Sequence, residues 1–275
     1  MLRIAVQSKG RLYEDTMALL AEADIKVSSS KRTLLVQSSN FPVEVLYLRD
    51  DDIPQSVAGG VADLGIVGEN EFVEREEDAV VVRRLGFSKC RLSLAIPKAV
   101  DYSGLSWFEG KKIATSYPSI LKKFMKENGV EADIHVITGS VEIAPGIGLA
   151  DGIFDIVSSG STLVSNNLQE VAVVMKSEAL LIANRNMDDA KKAILDELLF
   201  RIEAVKSAED KKYVLGAFHS LFCFARQNER EEGIEWEGFL RKTDGRSPVP
   251  ALACPPQQER RDRWVVKSYQ SKVCF

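Results

Sequence analysis

The sequence predicts an α/β fold arranged in two lobes, and three observations carry that expectation. Short apolar strands alternate with segments of helical periodicity from the N-terminus to about residue 205. The phrase GVADLGIV at 60–67 returns as GLADGIFDIV at 148–157, each a helix end, a short turn and a strand, as expected of two lobes of like topology. The composition, 45% hydrophobic and 28% charged over 275 residues, is that of an ordinary globular chain with room for one large or two ordinary domains.

Taken in order, LRIAVQ (2–7) is a strand, and the turn after it opens a helix whose apolar residues Leu12, Met17, Leu20 and Ala21 fall near helical spacing. TLLVQSS and VEVLYL are further strands. RDDDIPQSVAGG starts a helix, since its acidic residues and Pro54 suit a first turn. GVADLGIVG is a strand bounded by glycines, followed by the strands VVVRRLG and CRLSLAIP. KKIATSYP is a strand ending at Pro118, SILKKFMKENG a helix, DIHVIT a strand and VEIAPGIGLAD a helix. EVAVVM and EALLIA are strands, and residues 188–205 form an amphipathic helix with Ala190, Ile194, Leu198, Ile202 and Val205 on one stripe. Such alternation predicts a mostly parallel sheet. The lobes would be joined near residues 84–92 and 174–182, with a ligand cleft between them at the carboxyl ends of strands.

Composition also excludes. The formal charge is −4, and the acidic excess lies in residues 1–215, which argues against duplex nucleic acid as a ligand. No run approaches the ~18 apolar residues of a membrane span, and MLRIAVQSKGRL lacks a secretory cleavage pattern, so a cytoplasmic location is expected. Of four cysteines only Cys90 lies before residue 216, and no CxxC pair signals zinc.

The chemistry concentrates in DGIFDIVSSGSTL, residues 151–163. Ser158, Ser159, Gly160, Ser161 and Thr162 carry the chain from a strand into a helix through small residues whose amides and hydroxyls can converge on a phosphate. A capped strand–turn–helix joint would use the same residues. Asp155 interrupts an apolar strand, which is unfavourable for a carboxylate unless it is paired or functional. With Asp151 just upstream, the segment has acceptors for ribose hydroxyls near a 5-phosphate, although Asp151 could equally satisfy nearby backbone donors. Lys9, Gly10 and Arg11 follow the first strand, where a cleft would open or a solvated turn would lie. Arg49 beside Asp50, Asp51 and Asp52 is either a helix-start cluster, a Mg²⁺ neighbourhood or an arginine held for a phosphate. Tyr117 ends a strand, where its ring could stack on a base or cap the core, and Glu142 lies at a helix start as a terminal charge or a ligand contact. His135 alternates within a strand and is read as structural.

LRIAVQSKGRL, RDDDIP, GVADLGIVGEN, CRLSLA, GKKIATSYP, ITGSVEIAPGIGLAD and DIVSSGSTL follow one order and spacing. From residue 1 to about 215 the chain resembles the ATP phosphoribosyltransferases, which open histidine biosynthesis. The resemblance implies transfer of phosphoribosyl from phosphoribosyl pyrophosphate to N1 of ATP, with Mg²⁺. It also implies a catalytic body like a type II periplasmic binding protein, with lobe I at 1–88 plus 180–210 and lobe II at 89–179. It places the 5-phosphate on residues 158–162, makes Asp151, Asp155 and Glu142 the catalytic candidates, and lines the nucleotide and pyrophosphate side with Lys9, Gly10, Arg11, Arg49 and Tyr117. Metal ligands are not indicated. The family's long form is a dimer that can become a hexamer and its short form needs a separate regulatory subunit, so the resemblance implies a homo-oligomer, with histidine as the family's feedback inhibitor. The reading from another class is a two-lobed binding protein that closes on a phosphorylated sugar or nucleotide without turnover.

KKYVL at 211–215 looks like the first strand of the family's histidine-binding domain, and there the pattern stops. Residues 216–275 show no sustained period and contain PVPALACPPQQERRDRW. Residues 211–275 are therefore expected to be a regulatory remnant, altered by a reading-frame shift near 216 or by divergence, with little inhibition by histidine.

Overall fold

The computed structural model describes residues 1–28 and 33–209, all within one compact unit. The expected regulatory remnant at 211–275 lies outside the described residues. Two sheets are present. The first has six strands in the order β2-β3-β1-β4-β11-β5, with β1 at Leu2–Gln7, β2 at Leu35–Gln37, β3 at Val43–Leu48, β4 at Leu64–Gly68, β5 at Ala79–Arg84 and β11 at Ala179–Asn184. The second has five in the order β10-β6-β9-β7-β8, with β6 at Cys90–Pro97, β7 at Lys112–Thr115, β8 at Asp133–Val136, β9 at Gly152–Val157 and β10 at Leu168–Ser177.

Burial on both faces explains why the strands are near-continuous apolar runs. In β1, Leu2, Ile4 and Val6 face a core that includes Leu19 and Leu20 of α1 (Arg11–Glu22) and Leu195, Leu198 and Ile202 of α6 (Asp189–Glu209). Ala5 faces the other way, onto Ile53 and Val57 of α2 (Ile53–Ala58). Gly65 in β4 permits that approach, because a Cβ there would fall 2.7 Å from Ile53 Cγ2. The α6 stripe is centred on Leu195, Leu198 and Ile202, with Ile194, Leu199 and Val205 at its margin, whereas Ala190 in the first turn is exposed.

Two expectations need correction. The sheets are mixed, not mostly parallel: β1–β3, β1–β4, β7–β8 and β7–β9 are parallel and the other five pairings antiparallel. Four of those five involve β5, β6, β10 and β11, the strands that carry the chain to and from the joint between the sheets. The segment VEIAPGIGLAD is not a helix beyond one 3₁₀ turn at Val141–Ile143. Pro145 has no N–H to donate, and Gly148, at φ 73°, turns the chain so that Leu149 N–H returns to Ala144 O at 2.9 Å.

The chain passes between the sheets at 85–89 and at Glu178. Leu85 N–H donates to Ala179 O at 2.8 Å and Ala179 N–H to Phe87 O at 3.1 Å, which pairs the two crossings. No helix among the described residues is long and apolar enough to cross a membrane.

Candidate functional site

The carboxyl ends of the parallel strands in both sheets carry the candidate residues. In the first sheet, Gln7 of β1 pairs with Leu48 of β3 and Ser8 N–H donates to Leu48 O at 2.9 Å, which brings the turn Lys9–Gly10–Arg11 beside Arg49. Lys9, Arg11 and Arg49 are exposed. Gly10 holds φ 94°, a conformation that favours glycine, and turns the chain into α1. Arg11 pairs loosely with Asp15 at 3.8 Å, and its charge reaches the thiol of Cys90, where the chain enters the second sheet. Arg49 lies 3.4 Å from Asp51, whose second oxygen is 3.6 Å from Arg75.

In the second sheet β9 ends in the loop 158–160 and resumes as α5 (Ser161–Ser165). Gly160 is left-handed at φ 82°, so the sharp turn depends on a residue without Cβ. Ser159 and Ser161 hydroxyls are 3.0 Å apart. The backbone N–H groups of Ser159 and Gly160 have no acceptor among the described residues. Asp155, one strand residue pair back, lies opposite Ser93. Burial, and then the charge of Glu142, push its carboxyl up to about 6 against the pull of the Ile156 amide. The charges of Asp155 and Glu142 thus act on one another, and the Asp155 charge also acts on the phenol of Tyr117.

Asp151 is not brought to that group. It lies at the opposite end of β9, about 13 Å back along the strand at ~3.3 Å per residue, where its carboxylate accepts from Lys112 N–H at 2.9 Å and its own N–H donates to Lys112 O at 2.8 Å. Asp63 does the same before β4: its carboxylate accepts from Arg3 N–H at 2.8 Å, and its N–H donates to Arg3 O at 3.0 Å. The repeated Gly-X-Ala-Asp phrase is therefore one strap used twice, fastening β4 to β1 and β9 to β7 in matching register, Ile4 to Leu64 and Ile113 to Gly152. The expected pairing of Asp151 with Asp155 around a ribose does not form, because three strand residues lie between them.

Tyr117 is buried, 6% exposed, so its ring presents no open face. Its hydroxyl donates to Glu71 at 2.8 Å and accepts from Asn70 Nδ2 at 3.1 Å, and burial together with the neighbouring Glu71 pushes its pKa up. Glu71 in turn is raised by burial. Both partners come from α3 (Glu69–Arg75), in the stretch ENEFVER, whose importance the sequence did not signal. Read linearly, this charged stretch is a solvated face. In the fold Asn70, Glu71 and Glu74 are buried against the other sheet. Glu74 accepts from Ser119 N–H at 2.8 Å and Ile120 N–H at 3.0 Å, capping α4 (Pro118–Glu127) from outside, and Asn70 is tied to Ser177 at the second crossing. His135 pairs with Asp133 at 3.1 Å on the exposed face of β8.

A family model described as ATP phosphoribosyltransferase matches residues 49–204. The ATP phosphoribosyltransferases of Phocaeicola vulgatus and Bacteroides fragilis are 84% and 80% identical over 215 residues, 78% of this chain and 76% of theirs. Among solved structures, one chain of the ATP phosphoribosyl transferase complex of Thermotoga maritima superposes with a TM-score of 0.67 at 26% identity, covering 77% of this chain and all of that one. A substrate-binding protein of an amino acid ABC transporter superposes at 0.52 with 10% identity over 76% of this chain and 94% of its own, a likeness of fold alone. The architecture is thus the two-lobed one of periplasmic binding proteins.

Proposed function

This chain belongs to the ATP phosphoribosyltransferase family, and we propose that the 158–162 loop holds the 5-phosphate of phosphoribosyl pyrophosphate while the Lys9–Arg11 and Arg49 edge takes pyrophosphate and ATP. The reaction is phosphoribosyl transfer from phosphoribosyl pyrophosphate to ATP, the first step of histidine biosynthesis. The observation that supports the placement is the loop itself: the Ser159 and Gly160 amides without an internal acceptor, a glycine at positive φ and four hydroxyls, beginning three residues after the raised carboxylate of Asp155.

As pyrophosphate leaves, positive charge grows on the ribose, and a fixed carboxylate beside it lowers the barrier. Asp155 is the residue for that role, being held in place by β9 and mostly ionised at neutral pH despite its raised pKa. Adenine N1 is already a nucleophile and needs orientation rather than activation. Glu142, half-exposed beside Asp155, is our candidate to take the proton that leaves the exocyclic amine. Asp151 is left out of the site because its carboxylate is committed to Lys112.

Mg²⁺ is expected with the family. Among the described residues no three His, Cys, Asp or Glu form a ready cage, but Mg²⁺ commonly uses one or two carboxylates plus substrate phosphates. Asp155 and Glu142 already carry the ribose and the proton in this reading, so Mg²⁺ would be held chiefly by the substrate's phosphate oxygens. Bound there, Mg²⁺ would offset the charge of the leaving pyrophosphate.

Pyrophosphate release from phosphoribosyl pyrophosphate and ATP tests the activity, and Thr162→Val tests the loop. We expect the variant to raise the phosphoribosyl pyrophosphate KM and leave that for ATP unchanged. An unaltered KM would remove Thr162 from the phosphate site, and binding without release would favour a binding protein.

A further inference from the structure

Arg91 touches the phosphate loop and has no part in the chemistry above. It is the second residue of β6 and pairs with Val157, the last residue of β9. Glu170 holds its guanidinium through two hydrogen bonds, Nε to Oε1 and Nη2 to Oε2, each 2.5 Å. Glu170 is itself fixed by the hydroxyl of Ser93, a buried residue, at 2.7 Å. A bidentate pair of this kind sets the plane of the guanidinium as well as its position. The remaining nitrogen, Nη1, donates to the carbonyl oxygen of Ser158 at 3.1 Å.

The consequence follows from peptide geometry. In a planar trans peptide the C=O and the following N–H point in opposite directions. A Ser158 carbonyl held toward Arg91 therefore turns the Ser159 N–H away from the guanidinium, and this is the first of the two amides that lack an internal acceptor. The charge of Arg91 is not free for a phosphate, because the Glu170 carboxylate beside it is held below its ordinary range by that same contact.

We propose that Arg91 is a positioning residue, which aims the loop amides at the phosphate through the Ser158 carbonyl, with Glu170 and Ser93 holding it in plane. This inference rests on the reading of residues 158–162 as the phosphate site. Lysine does not replace it, since the three donors of an ammonium radiate from one atom and set no plane, whereas the guanidinium spreads them over separate nitrogens.

The test is steady-state kinetics in both substrates on the full chain, with melting temperatures, for Arg91→Lys, Glu170→Gln, Ser93→Ala and Thr162→Val. Loss of one oriented hydrogen bond predicts a phosphoribosyl pyrophosphate KM raised about tenfold in Arg91→Lys. The ATP KM and kcat at saturating phosphoribosyl pyrophosphate should stay within about twofold. Glu170→Gln and Ser93→Ala, which keep the arginine, should shift the same KM in the same direction. A KM lowered by Glu170→Gln would mean that the freed guanidinium binds phosphate directly, and would overturn the proposal. So would a general loss, with both KM values, kcat and melting temperature moving together. If Thr162→Val raises the KM while the Arg91, Glu170 and Ser93 variants do not, the positioning role alone falls. If Thr162→Val also leaves it unchanged, the loop reading falls with it.

Discussion

Asp63 and Asp151 make the same pair of hydrogen bonds to equivalent strands, and that equivalence separates structural from chemical carboxylates. Asp151→Ala should destabilise by about 0.5–1.5 kcal/mol, the net worth of one hydrogen bond whose exposed donor water can satisfy. It should leave kcat/KM at 25 °C within a few-fold, as thermal melts and assays on one preparation would show. Asp155 should behave oppositely. The folded state retains its proton up to about pH 6, so this group's contribution to stability is complete below its unfolded pKa of about 4 and is lost as pH rises through about 6. Asp155→Asn should therefore become more stable than the parent by about 1–2 kcal/mol at pH 7, with the gap shrinking toward pH 4, while activity falls by ~10² or more. In the parent, kcat/KM should rise as pH passes through about 6. The unusual nature of Asp155 was legible in the sequence as a carboxylate inside IFDIV. That of Asp151 was legible only as one of two alternatives, since its partner, Lys112, lies 39 residues away.

At the level of elements, α3 does more than its charged sequence promises. It starts directly after β4 and feeds Asn70, Glu71 and Glu74 into the other lobe, where they meet Tyr117 and the start of α4. Glu74→Ala would uncover two amides of that helix start and should lower stability by about 1–3 kcal/mol, with faster hydrogen exchange at Ser119 and Ile120 than elsewhere in α4. Exchange protection unchanged at those amides would count against Glu74 as the cap. Strand positions were readable because alternation and apolar runs are local properties. Strand direction was not, because the pairings of β10 with β6 and of β11 with β4 join segments more than seventy residues apart. The helix expected over 141–151 failed for a local reason, the Pro145, Gly146 and Gly148 punctuation, which outweighs a weak apolar period.

For the whole molecule, similarity to the curated relatives extends over 215 residues, 78% of this chain and 76% of theirs. We propose that residues 211–275 do not correspond to the remainder of those relatives and that this chain is not controlled by histidine. Pyrophosphate release should then be insensitive to added histidine; inhibition by histidine would reject the proposal. The alternation of strands and helices, the duplicated Gly-X-Ala-Asp phrase and the run SSGST were enough to predict an α/β chain in two lobes with a phosphate loop, since each depends on residues within a few positions of one another. Only the folded arrangement decided which carboxylates meet. Asp155 joins Glu142 and Tyr117, Asp151 is spent on a strap, and Glu71 and Glu74 are drawn from an apparently solvated helix into the joint. The physical reason is that a charged side chain's role is set by the partners around it in space, and these partners lie tens of residues away along the chain.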